Sequence, residues 1–227
     1  MNQILLDHIS FKPSLFSLLE KFHIQEDSPH IEDLTGIVAR AETIARPKAL
    51  YRIGYIESRG RDWVVIDGVR FTSRVLRTNL DKTHRVFLYL ATGGRELEEW
   101  KSSLGDLLLQ FWADALCEMA LGSALQELNN HLEKRYALGP SSAMSPGSLA
   151  DWPIREQIPL FSLLGDTEES IGVRLTESLL MTPLKSVSGI RFASETGFES
   201  CQLCPRENCP GRRASYDKDL YESRYQL

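Results

Sequence analysis

The sequence predicts an α+β fold in which a twisted, mainly antiparallel sheet packs with long helices. Three observations predict it. The apolar period changes from about 3.6 to 2 near Leu50. Turn residues punctuate the segment that follows, and a long helical pattern then runs from Glu96 to Arg135. At 227 residues and 42% hydrophobic content, the chain has enough apolar surface for one substantial core with small appendages. The expected organisation is an N-terminal helical segment over 1–48, an α+β core over 49–195 and a cysteine-bearing appendage over 196–227.

Pro13 to Ile24 (PSLFSLLEKFHI) has the pattern of an amphipathic helix, with Leu15, Phe16, Leu19 and Phe22 on one face. Ser28-Pro29 opens a second helix with Ile31, Leu34, Ile37 and Val38 inward. Arg46-Pro47 stops it, because the residue before a proline avoids the helical region. Leu50 to Ile56, Trp63 to Ile66 and Val69 to Arg77 are rich in β-branched and aromatic residues and read as strands. Ser58-Arg59-Gly60 and Asp67-Gly68 supply the hairpin turns between them. Arg85 to Ala91 is almost continuously apolar, as a central strand covered on both faces would be. In the long helical pattern Leu104, Leu108, Phe111, Ala115, Met119, Leu125, Leu128 and Leu132 form one face, and Gly122 marks a break or a close crossing.

Beyond it, Pro146-Gly147 makes a tight turn, since proline presets φ and glycine tolerates a positive one. Asp151 is placed to cap a helix with Pro153 in its first turn. Ile154, Ile158, Leu160, Phe161 and Leu164 recur at helical spacing, and Gly165 ends the run. Val173 to Met181 and Ser186 to Phe192 read as two extended segments broken at Thr182-Pro183. Strand alternation puts Thr176 and Ser178 on one face and Leu175 and Glu177 on the other.

A net charge of −5 argues against a general nucleic-acid binder. The longest apolar runs fall far short of the roughly 18 residues that span a bilayer. The start, MNQILLDHISFK, lacks a signal-peptide pattern, so a cytoplasmic setting is expected. Four cysteines are present, and Cys201, Cys204 and Cys209 crowd into CQLCPRENCPGRR. Three such thiolates suit an iron–sulfur cluster, or zinc completed by a histidine or aspartate, with Arg206, Arg212 and Arg213 offsetting the charge. Reduced thiols or one disulfide are the plain alternative. Cys117, beside Met119 in the long helical pattern, reads as core packing.

The order SPG…DWP…Q…LF.LL, followed by LTES..M.P..SVSG, resembles the reactivation domain of cobalamin-dependent methionine synthase and its stand-alone relatives. The resemblance is specific over Ser145 to Gly189 and looser over Leu50 to Arg135. It implies a methionine synthase activation domain-like fold. It also implies that S-adenosylmethionine lies along Ser145, Pro146, Gly147 and Ser148, held largely by backbone groups, with Glu127 addressing its ammonium group. The arginine and tyrosine that contribute in that family fall here on Ala143 and Ser148, so both side chains are missing. Glu177, Ser178 and the small-residue strand around Ser188 would lie near the surface that receives the cobalamin of a partner. The expected function is that of a stand-alone reactivation-type protein serving methionine biosynthesis. It docks on the corrinoid-binding domain of a methyltransferase and assists reductive methylation, with flavodoxin or ferredoxin as electron donor and a cluster on the three cysteines as relay. The alternatives are a non-catalytic corrinoid- or metal-binding escort module, and a redox or metal sensor built on the cysteines alone.

Overall fold

A computed structural model describes residues 3–25, 27–195, 197–209 and 212–225. In chain order it runs β1 (Ile4–Leu6), α1 (Leu15–Phe22), α2 (Ile31–Ile44), β2 (Lys48–Arg59), β3 (Trp63–Ile66), β4 (Val69–Thr72), α3 (Arg74–Asn79) and β5 (Arg85–Thr92). Then follow α4 (Arg95–Ser103), α5 (Leu107–Tyr136), β6 (Ser141–Met144), α6 (Gln157–Leu164), α7 (Thr167–Ile171), the short strands β7 (Arg174–Leu175) and β8 (Met181–Thr182), and β9 (Ser186–Ala193). The main sheet has seven strands in the order β4-β3-β2-β5-β9-β6, with β1 also on β2. Every pairing in it is antiparallel.

The apolar run of β5 sits at the centre of the sheet and is covered twice, as its composition predicts. On one face Tyr51, Phe87 and Tyr89 meet Ala124, Leu128 and Leu132 of α5. On the other Leu88, Leu90, Ile190 and Phe192 meet Leu160, Leu163 and Leu164 of α6 together with Trp152. The N-terminal helices close a third cluster over the first half of α5, where Leu18, Leu34, Ala41, Trp112 and Leu116 pack. The Asp67-Gly68 turn forms as expected, with Asp67 at φ 45° and its carboxylate accepting from the Tyr55 N–H and from Arg52.

Several expectations need correction. The segment Val69 to Arg77 is a strand only to Thr72. Ser73 then caps α3, its hydroxyl accepting from the Leu76 N–H at 2.9 Å. The long helical pattern breaks at Leu104–Asp106 rather than at Gly122. Asp106 accepts from the Leu108 and Leu109 N–H groups, so a fresh helix starts there, whereas Gly122 faces open space and the helix runs on. Asp151 is not the cap of α6. Its carboxylate accepts from the Ser73 hydroxyl and from the Val75 N–H at 2.9 Å, tying the loop to the start of α3. Ile154 and Ile158 turn out to solvent, and the buried face of α6 is Gln157, Leu160, Leu163 and Leu164. The strand expected over Val173 to Met181 is a hairpin, because Leu179 adopts φ 63° and its N–H closes a turn on the Thr176 carbonyl. Strands β1 and β6 are too short to carry a readable alternation.

Candidate functional site

The site is built on the sheet edge, where β6 delivers the chain into the Ser145–Ser148 turn. Gly147 sits at φ 85°, and the Ser148 N–H returns to the Ser145 carbonyl at 3.2 Å, which with Pro146 ahead of the glycine makes a type II turn. The turn is fixed from behind. The Gly147 N–H donates to the Trp152 carbonyl at 2.7 Å, and Trp152 itself is fully buried. A side chain at Gly147 would press on Ile154, 2.8 Å from the Cβ position, so the loop closes over the entry to α6. Glu156, nearly buried, accepts from the Thr72 N–H at 2.8 Å and anchors the same entry to β4. Pro146 is buried while Gly147 and Ser148 are exposed, so the turn offers backbone to solvent from a rigid base. The Ser148 hydroxyl is used locally, donating to the Ser145 carbonyl at 2.6 Å.

The remaining predicted residues lie in three places. Glu127 is exposed on α5 and joins no hydrogen bond or ion pair among the described residues. Glu177 and Ser178 are exposed at the tip of the β7–β8 hairpin, where the Ser178 and Thr176 hydroxyls lie 3.0 Å apart. Ser188 is not on an open surface; it is 3% exposed and reaches the Gln157 side chain at 3.4 Å. Gln157 in turn donates to the Leu179 carbonyl at 3.2 Å, so β9, α6 and the hairpin tip are joined through one amide. Around this joint Ile154, Ile158 and Leu180 stand exposed at 38%, 55% and 53%. They form an apolar ledge next to the turn.

Two residues that the sequence reading did not select lie near this edge, and one of them reaches Ser145. Tyr89 of β5 faces Gly189 of β9 across the ladder and hydrogen-bonds the Ser145 side chain. It can do so because residue 189 has no side chain: a Cβ there would stand 2.9 Å from the Tyr89 hydroxyl and 3.0 Å from Ser145 Oγ. The small residue that the sequence reading assigned to corrin approach therefore serves this crossing. Burial pushes the Tyr89 hydroxyl above its ordinary pKa, with the Ser145 bond and the charge of Arg191 acting the other way. Arg191 lies opposite Ala143 in the β6–β9 register. A tyrosine within an apolar strand and an arginine within a serine-rich one were the available signals. A cleft of about 740 Å³ lies elsewhere, at Thr78, His84, Pro140 and Arg224.

The cysteine segment is docked, not loose. Phe198 and Tyr225 are buried in the main core, their rings 6.1 Å apart, and the Tyr225 hydroxyl donates to Asn79 at 3.2 Å. Cys201, Cys204 and Cys209 are free and half-buried. At the centre of their loop is Arg212, whose guanidinium donates to the carbonyls of Cys201, Cys204, Arg206 and Ala214. Among the described residues no three His, Cys, Asp or Glu side chains are grouped to hold a metal ion. The carbonyls converge on a cation that the chain itself supplies, and the Cys201 sulfur accepts from the Arg213 N–H at 3.4 Å. Among the described residues the three thiols are not gathered as an iron–sulfur or zinc site requires, so the expectation of a metal there gains no support.

Residues 126–200, from the last turns of α5 through the turn, α6, the hairpin and β9, match the family model described as vitamin B12 dependent methionine synthase, activation domain. That segment is similar to the activation-domain family. Among solved structures, the crystal structure of the MetH reactivation domain bound to AdoHcy matches with a TM-score of 0.60 over 88% of this chain and 80% of that one. At 16% identity this likeness shows the fold, the activation-domain α+β fold read from the sequence. No curated protein matched the chain. No helix among the described residues is long and apolar enough to cross a membrane.

Proposed function

We propose that this protein docks on the corrinoid-binding domain of a methyltransferase and assists reductive methylation of its cobalamin, with S-adenosylmethionine lying on the Ser145–Ser148 turn. The observation that carries this reading is the rigid, outward-facing type II turn inside the segment that matches the activation-domain family. The structural neighbour, which holds AdoHcy, supports the same ligand class. Ser145, Pro146, Gly147 and Ser148 present backbone groups to the ligand, and Glu127 stands free on α5 for its ammonium group. The ledge of Ile154, Ile158 and Leu180, with Glu177 and Ser178 at the hairpin tip, is the docking face. Ser188 acts from beneath, holding Gln157 and through it the hairpin.

The chemistry belongs to the partner's cofactor and the sulfonium ligand: cobalt in the +2 state takes one electron from a flavodoxin or ferredoxin and then the methyl group of S-adenosylmethionine, releasing S-adenosylhomocysteine. The test is a cob(II)alamin-inactivated methyltransferase mixed with this protein, reduced flavodoxin or ferredoxin and S-adenosylmethionine. Recovery of activity only when all components are present is expected; no recovery, with no association between the two proteins, overturns the reading. The escort module is favoured by one observation, the absence of charge at Ala143 and Ser148. Association without any S-adenosylmethionine binding would select it.

A further inference from the structure

We propose that the cleft at the far end of β6 binds a small soluble phosphate monoester, at a place separate from the Ser145–Ser148 turn. The cleft measures about 740 Å³, a size usual for small-molecule sites and far more than an inorganic ion needs. Its walls come from the connection between α3 and β5, from the residues before β6 and at the end of β9, and from Arg224 near the C-terminus. Pro140 precedes β6 and the turn follows it, so that strand, roughly 13 Å of extended chain, lies between the two places.

The chain carries a net charge of −5, yet Lys82, Arg85 and Arg224 all line this cleft. None of these cations meets a carboxylate or donates a hydrogen bond among the described residues. Of the two carboxylates in the lining, Asp81 is engaged by Arg77 at 3.3 Å, which leaves Glu195 alone against the three cations. Both guanidiniums are propped on aromatic rings. Arg85 lies 5.3 Å from the Phe87 ring centroid and 5.5 Å from that of Tyr136, and Arg224 lies 5.6 Å from that of Tyr225. Tyr225 is buried and its hydroxyl donates to Asn79, another lining residue, so the docked C-terminal segment holds Arg224 in the wall. Cations held this way, with their N–H groups unspent, favour an anion. A single carboxylate would satisfy one guanidinium. A phosphate monoester carries nearly two charges and three acceptor oxygens at neutral pH, a better match to two arginines and a lysine. Leu138, Pro140 and Ala193 offer apolar surface to the organic part of the molecule.

The experiment is calorimetric titration of the full chain with phenyl phosphate, and with benzoate and phenol, which keep the ring and change or remove the charged group. The native chain is expected to bind phenyl phosphate, benzoate about 10-fold more weakly, and phenol not at all. Arg85→Gln and Arg224→Gln should each weaken phenyl phosphate by about 10-fold, and Lys82→Gln by several-fold, with any S-adenosylhomocysteine binding left at its native value. Lys82 is exposed, so its variant carries the test if an arginine variant does not fold. No binding of phenyl phosphate, binding that the variants leave unchanged, or benzoate bound as tightly each overturns the site. Retention on phosphatidic acid vesicles that the same variants abolish would assign the cleft to a membrane surface and overturn the small-molecule reading.

Discussion

The Ser145–Ser148 turn and the Cys201–Arg213 loop are both short and polar, yet they are held in opposite ways. The turn is clamped to the core by the buried Trp152, whose carbonyl accepts from the Gly147 N–H. The cysteine loop is gathered around a single guanidinium, and its thiols lie half-buried at the margin. The comparison teaches that residues with the most reactive chemistry need not mark the organised site.

Substitution of the plug should break the comparison most strongly. Trp152→Ala removes a fully buried ring and is expected to cost about 3–5 kcal/mol, read by urea denaturation, with the turn lost along with the core. Next is Gly189→Val, whose branched side chain would collide with the Tyr89 hydroxyl and the Met144 carbonyl. Overpacking of this kind costs about 1–3 kcal/mol and should lower the melting temperature. Gly147→Ala places a Cβ at φ 85° against Ile154, for a loss of roughly 1 kcal/mol by urea denaturation and weaker S-adenosylmethionine binding by calorimetric titration.

Arg212→Lys sharpens the other side. A lysine cannot span four carbonyls, so the loop should loosen, and Cys201 and Cys204 should react faster with a thiol reagent. Global stability should shift by no more than about 1 kcal/mol, because the plug is untouched. The smallest effect concerns Cys117. Burial pushes its thiol up to about 12, so it stays protonated and unreactive well above neutral pH. Mass spectrometry after iodoacetamide treatment of the native protein at pH 8 should show three labelled cysteines, and a fourth only after unfolding or as the pH nears that value.

Much of this could be read in advance. The central strand, the first two helices, the Asp67-Gly68 hairpin and the Pro146-Gly147 turn each carry a local signal: an apolar run, a helical stripe, or a residue that alone tolerates the backbone required. The misreadings share one cause. Asp151 and Ser188 were judged by residue type, but their partners come from distant parts of the chain. Asp151 was taken by Ser73 and the start of α3, and Ser188 was turned toward Gln157. The Val173–Met181 segment has alternating residues, yet its own backbone turn at Leu179 folded it into a hairpin.

Periodicity and turn chemistry, which act over a few residues, determined the element types, the covered central strand and the position of the Pro146-Gly147 turn. Only the tertiary structure decided that Tyr89 crosses β9 through the gap left by Gly189 and that Arg191 lies opposite Ala143. Strand register joins residues far apart in the chain, and no local pattern encodes which of them will face each other.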